Sequence, residues 1–121
     1  MEYPKQSAQY HFRATRDALQ AEKLSLLLKF CRAAIAERER GEMELWQVGT
    51  QTLTLIVGIS APPVKLLDRK LASQDAILDE LHSVAGTLDM AAQGATTKEA
   101  DEKLWQRYKE LVDEYEDNLT G

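Results

Sequence analysis

The chain's densest group of chemically useful side chains is a set of carboxylates near its carboxyl terminus. Eight acids follow residue 98: Glu99, Asp101, Glu102, Glu110, Asp113, Glu114, Glu116 and Asp117. Carboxylates hold magnesium when several of them converge on one point. On a predicted helix, four of these acids lie opposite the apolar side: Glu102, Glu110, Asp113 and Asp117. We therefore expect a solvated acidic face and no metal site.

The spacing of these acids resembles one found in a known class of enzymes. Glu110 with Asp113, and Glu114 with Asp117, have the Glu-x-x-Asp spacing of all-α, magnesium-dependent nucleotide pyrophosphatases. In that class, acids from two helices hold the metal. The uncharged segment that should form the second helix here offers no matching acids, so the resemblance does not extend to a complete metal clamp.

Histidine chemistry is limited to His11 and His82. Neither has a Cys, His or acidic partner at the spacing of a zinc site, so zinc binding is not expected. The segment from His82 to Thr87 resembles the active segment of histidine phosphotransfer domains, which are four-helix bundles with an exposed helical histidine. Val84 and Gly86 match that family's apolar residue and glycine. The resemblance implies that His82 would be the phosphoacceptor.

The same segment departs from the phosphotransfer family in its charges. Ala85 stands where a basic residue usually helps to balance the phosphoryl group. Asp79 and Asp75 lie one and two turns before His82 and would repel a phosphate. The family's second glycine is not at its usual offset. We therefore treat phosphotransfer at His82 as an alternative, and expect an ordinary surface histidine.

No catalytic residue is predicted elsewhere in the chain. Cys31 lies in an apolar stripe with Leu28 and Ile35, which favours a small buried hydrophobe over a nucleophile. There is no serine in a nucleophile elbow and no glycine loop that could hold a phosphate. The sequence therefore indicates a protein that is not an enzyme and that needs no cofactor.

The elements that position these residues are organised around an uncharged stretch, residues 45–64. It spans 20 residues in a chain of which 29% is charged. Its dense apolar part, residues 53–59, is too short for a membrane span. A helix that is apolar on every side belongs in a core or an interface. The alternation over residues 52–55 leaves a strand paired with another chain as the second interpretation.

The periodicity of the whole chain predicts one all-α domain over residues 1–121, a four-helix bundle with short connections. Pro4 or Ser7 opens a long first helix, because neither Gly nor Pro follows until Gly41. Residues 1–18 of that helix could project from the domain as an arm. The second helix is the uncharged stretch.

The third and fourth helices carry the clearest apolar faces. In the third helix, apolar residues recur at three- and four-residue steps, and Leu81 on this stripe should be buried. The third helix should end at Gly94. Thr96 and Glu99 form a capping-box pattern that opens the fourth. The inward face of the fourth comprises Leu104, Tyr108, Leu111 or Val112, Tyr115 and Leu119.

Charge and cysteine content limit the partners and the compartment. The net charge is -5, with an excess of Lys and Arg over residues 1–41 and of acids thereafter. An acidic chain does not bind nucleic acid or anionic lipid in general, so neither nucleic acid nor a membrane is an expected partner. A single cysteine excludes an intrachain disulfide, and the start shows no secretory signal. The cytoplasm is the expected location.

These features predict a protein that acts by binding other proteins: an adaptor, regulator, secretion chaperone or toxin-neutralising partner. The first two helices offer more apolar surface than the apolar stripes of the third and fourth helices can cover. We therefore expect a protein partner or a homo-oligomer, with a dimer favoured. The predicted interface residues are Leu24, Leu28, Ile35, Trp46, Leu53, Leu55 and Ile56. The alternatives are phosphotransfer at His82 and a membrane-active helical protein.

Overall fold

A computed structural model describes residues 6–17, 20–60, 69–94 and 97–120 of the chain. The described residues form five α-helices and a short 3₁₀ helix, and they contain no strand. The α-helices are α1 (Ala8–Asp17), α2 (Gln20–Glu39), α3 (Leu45–Ser60), α4 (Arg69–Asp89) and α5 (Lys98–Thr120), and the 3₁₀ helix is Met90–Gln93. The predicted all-α, bundle-like fold is confirmed. The strand interpretation of residues 52–55 is wrong, because they lie inside α3.

The predicted continuous first helix is wrong, because the chain forms two helices that pack side by side. Ser7 caps α1 as predicted, since its Oγ accepts a hydrogen bond of 3.0 Å from the Tyr10 backbone N–H. The Ala8 backbone N–H donates to Glu37 Oε1 at 3.0 Å, near the far end of α2. The two helices therefore run antiparallel.

Helix α1 is not a projecting arm. Ala8 and Thr15 are buried, and the rings of Phe12 and Phe30 lie 6.1 Å apart between centroids. Folding α1 onto α2 buries these side chains, which a helix continuing into solvent would leave exposed. This gain is the physical reason why the chain turns back without a glycine or a proline.

The turn between α2 and α3 has the geometry that the sequence predicts. Gly41 has a φ of 74°, in the left-handed region that glycine adopts without steric cost. The Glu42 backbone N–H donates to the Glu37 carbonyl at 2.8 Å, and the Gly41 N–H donates to the Arg38 carbonyl at 3.0 Å. This hydrogen-bond pair is the Schellman motif that closes a helix.

The other described helix ends agree with the predictions in part: a glycine stops the predicted third helix, but the residue that caps the last helix is one position later than predicted. Gly94 ends the 3₁₀ helix with a φ of 69°. The Thr97 hydroxyl accepts a hydrogen bond of 3.1 Å from the Ala100 backbone N–H, and so caps α5. The predicted cap at Thr96 lies outside the described residues, as does the start of the predicted third helix.

The core lies where the helices face one another. Helix α3 packs against α1, α2 and α4, and α5 packs against α2 and α4. Leu81 is fully buried, as predicted. The predicted inward face of α5 is confirmed, with four buried residues and two partly buried ones: Tyr108, Leu111, Val112 and Tyr115, then Leu104 and Leu119. The side of α3 that faces away from this core therefore lies between α1 and α4.

Candidate functional site

His82 lies on the outward side of α4 and is exposed. Asp79, one turn earlier, is also exposed, and Gly86 is half-buried one turn later. The predicted surface position of His82 is thus confirmed. The side chain of Asp75 lies outside the described residues. Phosphotransfer at His82 stays a prediction.

Cys31 is a fully buried core residue, as predicted. Burial raises the pKa of its thiol to about 12, and a hydrogen bond with Tyr108 and the charge of Arg32 offset only part of this rise. A thiol with such a pKa stays protonated at neutral pH and is a poor nucleophile. The side chain therefore contributes packing to the core.

The acids of α5 lie on an exposed face, and several of them form ion pairs. Arg32 on α2 lies 2.8 Å from Asp113 and also contacts Glu116. These ion pairs lie within the chain and join α2 to α5. The guanidinium of Arg107 donates to both carboxylate oxygens of Glu80 on α4, at 2.5 and 2.8 Å.

These arrangements tie α5 to its neighbours and do not gather a metal site. Arg107 also lies 3.8 Å from Glu110 and 3.7 Å from Glu114, so it spreads over three carboxylates. Within the part of the chain that the structure describes, no group of three or more His, Cys, Asp or Glu side chains could hold a metal ion.

Three of the seven predicted interface residues belong to the core. Leu24, Leu55 and Ile56 are 7%, 2% and 2% exposed within the single chain, so they do not form a binding surface. The physical reason is that α1 and α4 pack on the helices that carry them. Leu28 and Ile35 are half-buried on α2. Leu28 lines a shallow groove between α1, α2 and α5 with charged neighbours such as Lys29 and Arg32.

The remaining two predicted residues share the outward side of α3. Trp46, Thr50, Leu53 and Val57 recur at steps of four, three and four residues, which places them on one side of a helix. We call these four residues the α3 outer face. Trp46 is 40% exposed, Val57 is 54% exposed, and the two residues between them are half-buried. Met90, which follows Asp89 at the end of α4, is also exposed, at 48%.

The α3 outer face carries no charge, because none of the 16 residues of α3 is charged. It is still not a membrane span. Among the described residues, no helix is long and apolar enough to cross a bilayer. An uncharged, partly aromatic strip on a surface that is otherwise rich in charged residues is typical of a binding surface.

One flank of the α3 outer face is formed by α1. Gln51 Nε2 donates to Gln9 Oε1 at 3.2 Å, near the middle of α3. Towards the end of α3, Arg16 and Thr54 line a cleft of about 230 Å³ that also includes Lys23 and Gly58. Helix α1 therefore runs parallel to α3 and brings positive charge to this side.

The other flank is formed by α4, which approaches α3 closely. A Cβ atom added to Gly49 would lie 2.5 Å from the Asp89 backbone nitrogen and 2.7 Å from the Ala85 carbonyl oxygen. The Thr50 hydroxyl also donates to the Asp89 carboxylate. Because the end of α4 lies beside the beginning of α3 and the helices pack extensively, they run antiparallel. This flank carries the acids Asp79 and Asp89.

The sequence contained the signal for this surface. The steps between Trp46 and Val57 follow the helical repeat, but α3 has no charged residue that would mark its outer face. Val57 was therefore not among the predicted interface residues. Met90 was also missed, since it stands alone after α4.

Comparison with protein-family models, with curated proteins and with solved structures finds no match to this chain.

Proposed function

We propose that the chain is a non-enzymatic protein-interaction protein that binds its partner through the α3 outer face. The observation that carries the proposal is the exposure of Trp46 and Val57 on a helix without charge. Tryptophan is enriched among the residues that dominate binding energy at protein interfaces. Complete burial of a large apolar side chain is worth about 1.5–3 kcal/mol, so covering this face would stabilise a complex.

Two further observations favour binding over catalysis. The buried thiol of Cys31 remains protonated, and the guanidinium groups of Arg32 and Arg107 are engaged by carboxylates of α4 and α5. These groups serve the internal structure. An adaptor, a regulator, a secretion chaperone or a toxin-neutralising partner would each use a surface of this kind, and the cytoplasm is the proposed place of action.

The proposal is tested by placing a charge on the α3 outer face. Val57→Glu puts a carboxylate at an exposed position of the face, where it costs the fold little but opposes burial in a complex. Gln106→Glu adds the same charge at an exposed site of α5 and is the matched control. Each tagged protein is purified from native cells. The mass of the purified species is measured, and the proteins that co-purify in stoichiometric amounts are identified.

We expect the wild type and Gln106→Glu to be recovered as the same complex, and Val57→Glu to be recovered without it. The complex can be a self-association or a stoichiometric partner. If all three proteins are recovered as free monomers, or if all three hold the same partner, the α3 outer face is not the binding surface.

A second candidate, phosphotransfer, is favoured by the exposure of His82. The protein is incubated with acetyl phosphate and assayed for acid-labile phosphohistidine. Phosphotransfer at His82 requires a signal that His82→Gln abolishes and His11→Gln retains, since these are the chain's two histidines. A signal absent from the wild type, or unchanged in His82→Gln, would exclude this candidate.

A further inference from the structure

We infer that the partner of the α3 outer face is a second copy of this chain, with the two α3 helices packed in parallel. This inference rests on the proposed function and specifies it. In this arrangement a two-fold axis runs along α3, and α1 of each protomer lies over α4 of the other. Three properties of the described residues lead to it.

The first property is that the α3 outer face can pack against its own copy. Steps of four, three and four residues are those of the inward positions of a two-stranded coiled coil. In a parallel pair, each such residue meets its own counterpart across the axis, so Trp46 packs near the partner's Trp46 and Val57 near the partner's Val57. Because α3 is uncharged, this contact brings no like charges together at its centre.

The second property is that the two flanks are different. A two-fold axis along α3 gives parallel helices and sets the α1 flank against the partner's α4 flank. A two-fold axis across α3 gives antiparallel helices and sets α1 against α1 and α4 against α4. The charges on the flanks therefore decide which arrangement is stable.

The third property is that the flanks carry opposite charges at the same height along α3. On α1, Arg13 and Arg16 are exposed, and Arg16 lies beside Gly58 near the end of α3. On α4, Asp79 is exposed and comes ten residues before Asp89, which contacts Thr50. Ten residues of helix span about 15 Å, so Asp79 also lies towards the end of α3.

The parallel arrangement is therefore the one that the charges favour. It brings Arg16 of each protomer near the partner's Asp79. The antiparallel arrangement reverses the direction of the partner's α3, so it places the two Arg16 side chains at opposite ends of the interface and forms no such pair. Lys23 lines the cleft beside Arg16 and adds to the positive charge there. His82 is exposed one turn after Asp79 and also lies along this rim.

Sedimentation equilibrium of the purified chain at tens of micromolar tests two points: whether the chain is a dimer, and whether Arg16 pairs with the partner's Asp79. We expect a dimer for the wild type and for Gln106→Glu. We expect Arg16→Glu and Asp79→Lys each to weaken dimerisation at least about threefold, because each variant brings like charges together at two symmetric sites. The Arg16→Glu/Asp79→Lys double variant restores the opposite-charge pairs and should dimerise nearly as the wild type does.

The orientation is tested separately by a disulfide across the axis. Val57→Cys should form a covalent dimer under mild oxidation, because two side chains that meet at the axis are close enough to bridge. The native Cys31 is buried and does not compete. Gln106→Cys, on the exposed side of α5, is the control and should stay monomeric on a denaturing gel.

The outcomes separate the inference from the function on which it rests. A dimer that the charge swap does not restore, or that Val57→Cys does not cross-link, overturns the parallel arrangement. A monomeric wild type that holds a different protein through Val57 overturns the second copy and leaves the proposed function standing. A monomer without any partner overturns both.

Discussion

At the scale of single residues, the helices are joined by a small polar cluster at the centre of the core. The hydroxyl groups of Thr52 on α3 and Tyr108 on α5 share a hydrogen bond of 3.0 Å, and both side chains are fully buried. The Tyr115 hydroxyl donates to the Leu24 carbonyl on α2. Burial raises the pKa of both tyrosines well above the usual value, so both hydroxyl groups keep their protons.

The Thr52–Tyr108 hydrogen bond should show strong coupling between its two partners. Thr52→Val leaves the Tyr108 hydroxyl without this partner and should cost about 1–3 kcal/mol of unfolding free energy in urea. Tyr108→Phe should cost a similar amount. The double variant should cost clearly less than the sum, because no buried hydroxyl is then left unsatisfied. Strictly additive costs would mean that the hydrogen bond contributes little.

His11 should make the stability of the fold depend on pH. Burial, and then the nearby charge of Lys29, lower the pKa of its imidazole below 6.5, and its Nδ1 atom is buried without a partner. The unfolded chain therefore binds this proton more readily than the folded protein, so stability should fall as the pH drops below 6.5. His11→Gln should flatten the slope measured by thermal unfolding. An unchanged slope in His11→Gln would contradict this assignment.

At the scale of the helices, Gly49 sets the distance between α3 and α4. The Cβ atom of an alanine at this position would collide with backbone atoms of Asp89 and Ala85, which cannot rotate away. Gly49→Ala should therefore push the two helices apart and cost about 1–3 kcal/mol in chemical unfolding.

Gly58→Ala is the matched control for that prediction, because the new Cβ atom has no neighbour within 4 Å. It should be neutral or stabilise the protein by about 0.5–1 kcal/mol, as alanine does in a helix. Equal effects of the two substitutions would show that helix propensity, and not close packing, governs position 49.

The sequence predicts those helix ends that local residues determine. Gly41 and Gly94 adopt the left-handed backbone that glycine allows, and the stripe along α5 faces the core as its spacing requires. The division of the first helix into α1 and α2 could not be predicted in this way. No Gly or Pro occurs between Ser7 and Gly41, and the fold is decided instead by burying Ala8 and Phe12 against α2.

At the scale of the whole molecule, this same folding-back explains which interface residues were misassigned. Four helices would leave much of α2 and α3 uncovered, and the sequence therefore predicts a large exposed surface. With α1 folded onto the bundle, Leu24, Leu55 and Ile56 are covered within one chain. The surface that remains is narrower, uncharged, and bounded by a basic flank and an acidic flank.

The most direct test of this account is whether Trp46 becomes buried when the chain associates. In a Trp105→Phe protein, Trp46 is the only indole, so its fluorescence reports on the α3 outer face alone. We expect the emission maximum to move to shorter wavelength as the concentration rises to tens of micromolar, because covering the indole removes it from water. Val57→Glu in the same background should abolish the shift. An emission maximum that does not change with concentration would contradict the association of two chains through α3.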